Sequence, residues 1–158
     1  MKAVTIKELK EELTNYSPKE LRELCLRLAR FKKENKELLT YLMFESSDES
    51  LYIEDVKKEI DEQFLQINKK SQYLIKKSFR KILRIIRKYS RYSPKKETEV
   101  VLLIYFCTRL KNFSPSIHKN TGLQNFYTRL IDSIRKKVKL LHEDLQFDYG
   151  TVLNSLER

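Results

Sequence analysis

The stretch that decides the fold is Lys69-Lys70-Ser71-Gln72-Tyr73-Leu74-Ile75-Lys76-Lys77-Ser78-Phe79-Arg80-Lys81-Ile82-Leu83-Arg84-Ile85-Ile86-Arg87-Lys88-Tyr89-Ser90-Arg91. Ile75, Phe79, Ile82, Ile86 and Tyr89 recur at alternating four- and three-residue steps, the period of one helix face. On a helical wheel Lys77, Arg80, Arg84, Arg87 and Arg91 lie opposite that stripe, with Lys76, Lys81 and Lys88 flanking them. A long helix with one apolar and one cationic face is therefore predicted over Lys69–Arg91.

Working outward, the same signals repeat. Thr5-Ile6-Lys7-Glu8 reads as a capping box opening a short helix to about Asn15. Ser17-Pro18-Lys19-Glu20 is a stronger start: a hydroxyl to accept from orphan amides, proline at the first helical position, and glutamate at the third. The apolar stripe that follows is Leu21, Leu24, Cys25, Leu28 and Phe31. Leu38, Leu39, Leu42 and Met43 mark a third helix, and Leu51, Val56, Ile60 and Phe64 a fourth beyond the break at Ser46–Ser50.

After the long helix, Ser93-Pro94 is expected to cap a sixth, whose Val100–Phe106 stretch is apolar nearly all round and should lie at the centre of the packing. A loop from Asn112 to Gly122, containing Pro115, leads to a seventh helix expected to run to about Asp144. The tail, Phe147 to Leu156, should end in a short docked helix. Tyr16-Ser17-Pro18-Lys19 and Tyr92-Ser93-Pro94-Lys95 stand 76 residues apart. An internal repeat would give a small solenoid-like array. The two halves align poorly outside the caps, which favours chance recurrence of a common helix start.

Composition agrees with helices throughout. Two glycines and three prolines in 158 residues leave few positions for the tight turns that extended sheets need. The expected fold is all-α: residues 1–158 as a single helical domain, a bundle of antiparallel hairpins with about six to eight helices and the Pro94–Lys111 helix at its centre. Met1 to Glu12 carries no signal-peptide core, and Val100–Cys107, the longest apolar run, is too short to span a bilayer. A cytoplasmic location and no membrane association are expected. Cys25 and Cys107 each sit in an apolar helical run and are expected to be buried structural thiols.

The net charge of +11 favours a polyanionic partner. Gln63–Lys96 holds twelve basic residues and no acidic one, whereas Glu45–Glu62 holds eight acidic residues and two basic. Like charges three and four apart repel on a helix, so a purely solvated face usually intersperses glutamate. Three readings of the basic face compete: contact with phosphates, docking on an acidic protein surface (this chain's own Glu45–Glu62 included), or ordinary solvation. Tyr73, Tyr89 and Tyr92 lie among the cations and could stack on bases, although Tyr89 also continues the core stripe.

Catalytic and metal signatures are not found. His118 and His142 have no partner at ligand spacing. Glu54, Asp55, Glu59 and Glu62 lack the Glu-x-x-His pairs of bundle metal sites and read as a solvated acidic face. Gly122 and Gly150 are the only glycines, which excludes a glycine-rich phosphate loop. No enzyme activity, cofactor or metal is expected.

The opening Leu9, Leu13-Thr14, Ser17-Pro18-Lys19-Glu20-Leu21-Arg22-Glu23-Leu24, followed by Leu38-Leu39 and Tyr41-Leu42, resembles a family of small bacterial helical proteins catalogued as a domain of unknown function. Asn125-Phe126-Tyr127 with Leu130, and Asp148-Tyr149-Gly150 with Leu153, are similar too. The resemblance implies a helical fold and carries over no site residues. The function expected from the residues is a non-catalytic protein. Its polyanion-binding face would be Lys76, Lys77, Arg80, Lys81, Arg84, Arg87, Lys88 and Arg91, engaging RNA or a ribonucleoprotein. The alternative is a protein–protein adaptor with no nucleic-acid role.

Overall fold

A computed structural model describes residues 2–157. Eight α-helices and no strand form among the described residues: α1 (Ile6–Leu13), α2 (Pro18–Phe31), α3 (Lys33–Thr40), α4 (Glu49–Leu65), α5 (Gln72–Ser90), α6 (Lys96–Lys111), α7 (Thr121–Val138) and α8 (Glu143–Glu157). A π turn at Tyr41–Glu45 follows α3, and a 3-10 turn at Ile117–Lys119 precedes α7. The chain is all-α, as its periodicity predicts. Where the sequence reads as one domain, the helices group into two compact units, residues up to Phe44 and residues from Glu45.

The first unit is built from α1, α2 and α3. Both expected capping boxes close: Thr5 Oγ1 accepts from the Glu8 amide, Ser17 Oγ accepts from the Glu20 amide, and each glutamate accepts in return from its cap amide. α2 and α3 pack on each other across the single extended residue Lys32. Not one residue of these three helices is buried. The stripe on α2 is therefore a surface: Phe31 is 85% exposed, and Leu28 and Cys25 are exposed as well. That corrects the expectation for Cys25, because two helices in contact have no interior to put a whole stripe in.

The second unit has α6 at its centre, touching α4, α5, α7 and α8. Val100, Leu102, Leu103, Phe106, Cys107 and Leu110 are buried around its circumference, each direction having its own neighbouring helix. Cross-contacts fix the directions. Tyr52 near the start of α4 donates to the Tyr89 carbonyl at the end of α5, and Phe64 at the other end of α4 meets Phe79 early in α5. Phe79 also meets Phe106 late in α6, and Lys137 at the end of α7 pairs with Glu99 at the start of α6. Tyr127, early in α7, donates to the Leu156 carbonyl of α8. Successive helices are thus antiparallel. An aromatic cluster of Phe64, Phe79, Phe106 and Phe113 knits α4, α5 and α6.

One buried face and two boundaries differ from expectation. α4 buries Tyr52, Val56, Ile60 and Phe64, at strict four-residue steps, and leaves Leu51 exposed. Ser93-Pro94 does not cap α6, which begins at Lys96 with Lys95 in the cap position and no side-chain cap bond. A capping box needs an acceptor three residues on, and Ser93 is followed there by Lys96, a donor. Ser93 is buried instead, its hydroxyl beside that of Thr98, which donates to Glu49 of α4. The two Tyr-Ser-Pro-Lys stretches are therefore different structures. Finally, α7 ends at Val138 rather than near Asp144, and the Gln146 amide caps the break by donating to the Leu141 carbonyl. The reversal lets α8 bring Leu153 and Leu156 back into the core.

Candidate polyanion-binding groove

The basic face of α5 is set by where its apolar face goes. Ile75, Phe79, Ile82, Leu83 and Ile86 are buried, so Lys77, Arg80, Lys81, Arg84, Arg87 and Arg91 must face solvent. Ser71 caps the helix, accepting from the Leu74 amide. α7 runs in the same direction as α5, since both are antiparallel to α6, and the two helices meet at their N-terminal ends. There the Asn120 amide donates to the Gln72 side-chain oxygen, while the Asn120 oxygen caps α7 by accepting from the Leu123 amide. One and a half turns further on, Phe126 stacks on Phe79 with ring centres 6.2 Å apart.

Between these helices lies a groove of about 320 Å³. Lys76, Arg80 and Arg87 form the α5 wall, and Asn125, Arg129 and Ser133 the α7 wall. Leu83, Phe126 and Leu130 floor it. Gly122 closes the tight end: a β-carbon there would stand 3.1 Å from the Asn120 side-chain oxygen and 3.8 Å from Lys76 Nζ. The tight distance is the one to Asn120, while the distance to Lys76 is ordinary van der Waals contact. From Lys76 to Arg87 the wall rises about 17 Å. A second depression of about 430 Å³ continues over the outer side of α5, where Tyr73, Lys77 and Arg84 join Lys76, Arg80 and Arg87.

The electrostatic composition is one-sided. Four cations line the groove and no carboxylate does. Asp132, three residues past Arg129, is exposed and outside the lining. Among the described residues, none of Lys76, Lys77, Arg80, Lys81, Arg84, Arg87, Arg91 or Arg129 is in an ion pair.

Four carboxylates of the acidic segment have partners outside the groove. Glu54 and Asp55 pair with Lys57 and Lys58 of their own helix at 2.7 Å. Glu59 accepts from the Tyr89 hydroxyl, and Asp61 accepts from Tyr105 at 2.7 Å while Arg109 lies 2.9 Å away as an ion contact without hydrogen-bond geometry. Burial, then the Asp61 bond, pushes the Tyr105 hydroxyl up to about 12.

Five of the eight residues read from the sequence, Lys76, Lys77, Arg80, Arg84 and Arg87, come together along this surface. Lys81, Lys88 and Arg91 do not line it. Lys88 lies 4.2 Å over the Tyr89 ring, and Arg91 is the C-cap residue of α5. Of the three tyrosines, Tyr73 is 72% exposed and lines the second depression, whereas Tyr92 is buried and Tyr89 is tied to Glu59. Arg129, Asn125 and Ser133 are additions from α7. Their four-residue spacing is a helical polar face, legible in the sequence, but nothing local says which helix it will stand beside.

No family model, curated protein or solved structure matches this chain. Among the described residues no helix is long and apolar enough to cross a membrane, and no group of three or more His, Cys, Asp or Glu side chains could hold a metal ion.

Proposed function

We propose that this is a non-catalytic binding protein whose α5–α7 groove engages a polyanion, RNA or a ribonucleoprotein. One observation carries the reading: Lys76, Arg80, Arg87 and Arg129 converge from two helices with no carboxylate among them, although this chain has eight acidic residues in the segment just before. Crowding like charges costs energy, and phosphates that displace counterions would offset it. Tyr73 at the groove's outer edge supplies a flat face for an unpaired base, which favours single-stranded RNA over duplex. A cytoplasmic location accords with such a partner.

The test is RNA titration across a salt series, beside a tagged pull-down with and without nuclease. Six engaged cations give a log–log salt slope of about −4 on a single strand and about −5 on a duplex. Arg80→Glu with Arg87→Glu should abolish binding while circular dichroism stays unchanged. RNA held no more tightly than about 10⁻⁴ M would sink the proposal. So would a defined partner that comes down regardless of nuclease, which would install the adaptor alternative.

A further inference from the structure

The α2–α3 hairpin carries an independent surface. α2 and α3 pack on each other, and on one flank of the pair, lined by Ala29 and Leu39, lies an open groove of about 750 Å³. Its apolar lining is Leu26, Ala29, Leu39, Met43 and Phe44. Met43 is 64% and Phe44 74% exposed, large apolar surface that a solvated helix pair has no use for. The rim is charged with one sign: Arg30 on α2, Lys33 and Lys36 on α3. No carboxylate lines the groove, although Lys33 reaches Glu37 at 3.6 Å behind it. The opposite flank, with Cys25, Leu28, Leu38 and Leu42, is apolar without any charge.

We propose that the cationic flank takes an amphipathic helix with acidic borders from a partner protein. The shape fits: along α3, Lys33 to Thr40, both lining the groove, rises about 10 Å, the distance over which a docked helix presents anchors at i, i+4 and i+7. The charge selects the partner. A second copy of this chain, related by a two-fold axis, would set Arg30, Lys33 and Lys36 against their own counterparts, a like-charge juxtaposition. A bilayer surface is flat, whereas this apolar floor is recessed between two helices. An acidic helix alone satisfies floor and rim together.

The experiment titrates full-length, ¹⁵N-labelled protein with a helical peptide of about four turns that carries leucines at i, i+4 and i+7 between glutamates. A twin with lysine for every glutamate is run beside it. The acidic peptide should move the amides of Ala29, Leu39 and Met43 and bind at least about tenfold more tightly than its twin. Lys33→Glu with Lys36→Glu should weaken it by about tenfold. Leu26→Ser with Met43→Ser should weaken it too, with helicity unchanged. Arg80→Glu with Arg87→Glu should leave it intact, which separates this site from the α5–α7 groove.

Equal binding of the twins, or shifts confined to α5 and α7, would overturn the inference. It also fails if phosphatidylserine vesicles perturb these residues and the peptide does not, or if sedimentation finds a dimer that protects Leu26 and Met43.

Discussion

Arg129 shows how a single side chain carries the binding proposal. It faces Lys76, Arg80 and Arg87 from another helix, so Arg129→Gln should weaken RNA binding evenly across sequences and make the single-strand salt slope shallower by about 0.7. The two cysteines make a second test at this scale. Burial pushes the Cys107 thiol up to about 12, while Cys25 is on the surface. Native protein should therefore release one equivalent of chromophore from a disulfide reagent, and denatured protein two. The sequence contexts of the two thiols look alike, and what differs is whether other helices surround them.

The caps give a third prediction, with a definite sign. The Thr5 backbone and hydroxyl hold Glu8 below its ordinary value, and the Ser17 hydroxyl and backbone do the same for Glu20. A depressed folded pKa adds stability that is present above the unfolded value, about 4.3, and is lost as pH falls through the folded one. Helicity of α1 and α2 should fall on acidification below that value. Glu20→Gln, which keeps the acceptor without titrating, should remove the part due to α2, as followed by circular dichroism.

At the scale of elements, periodicity locates faces and leaves their neighbours undetermined. The α5 stripe is buried because α4 and α6 lie against it, and Phe79 is its anchor, meeting Phe64, Phe106, Phe113 and Phe126. Phe79→Ala should cost about 3–5 kcal/mol, read from urea unfolding, because a ring inside a cluster leaves a cavity the others cannot fill. An equally regular stripe on α2 ends in Phe31 at 85% exposure. The pattern on a helix says which side is apolar; whether that side is covered depends on chain far away in sequence. Helix ends divide in the same way. Ser17 has its reciprocal acceptor in Glu20, three residues on, so its box is local and legible. The ends of α6 and α7 follow tertiary demands instead: Ser93 is drawn into contact with Thr98, and α7 stops where α8 must turn back.

Over the whole molecule the buried residues are unevenly shared. α1 to α3 bury none, while α6 alone buries seven. Native-state hydrogen exchange should therefore show α1–α3 amides exchanging through local openings of low free energy, and α6 amides only through global unfolding of its unit. Uniform protection from α2 to α6 would contradict that. What the sequence determined by itself is whatever rests on contacts within about one helical turn: the all-α class, the boxes at Thr5 and Ser17, the apolar and cationic faces of α5, and the charge excess of Gln63–Lys96. What the tertiary structure alone decided rests on contacts between distant segments. It engaged Glu59 and Asp61 of α4 with Tyr89, Tyr105 and Arg109, and it brought Arg129 across from α7. It also left Leu28, Leu42 and Phe44 of the first unit exposed. Local periodicity fixes what a helix offers; the long-range packing of the chain fixes which of those offers are taken up.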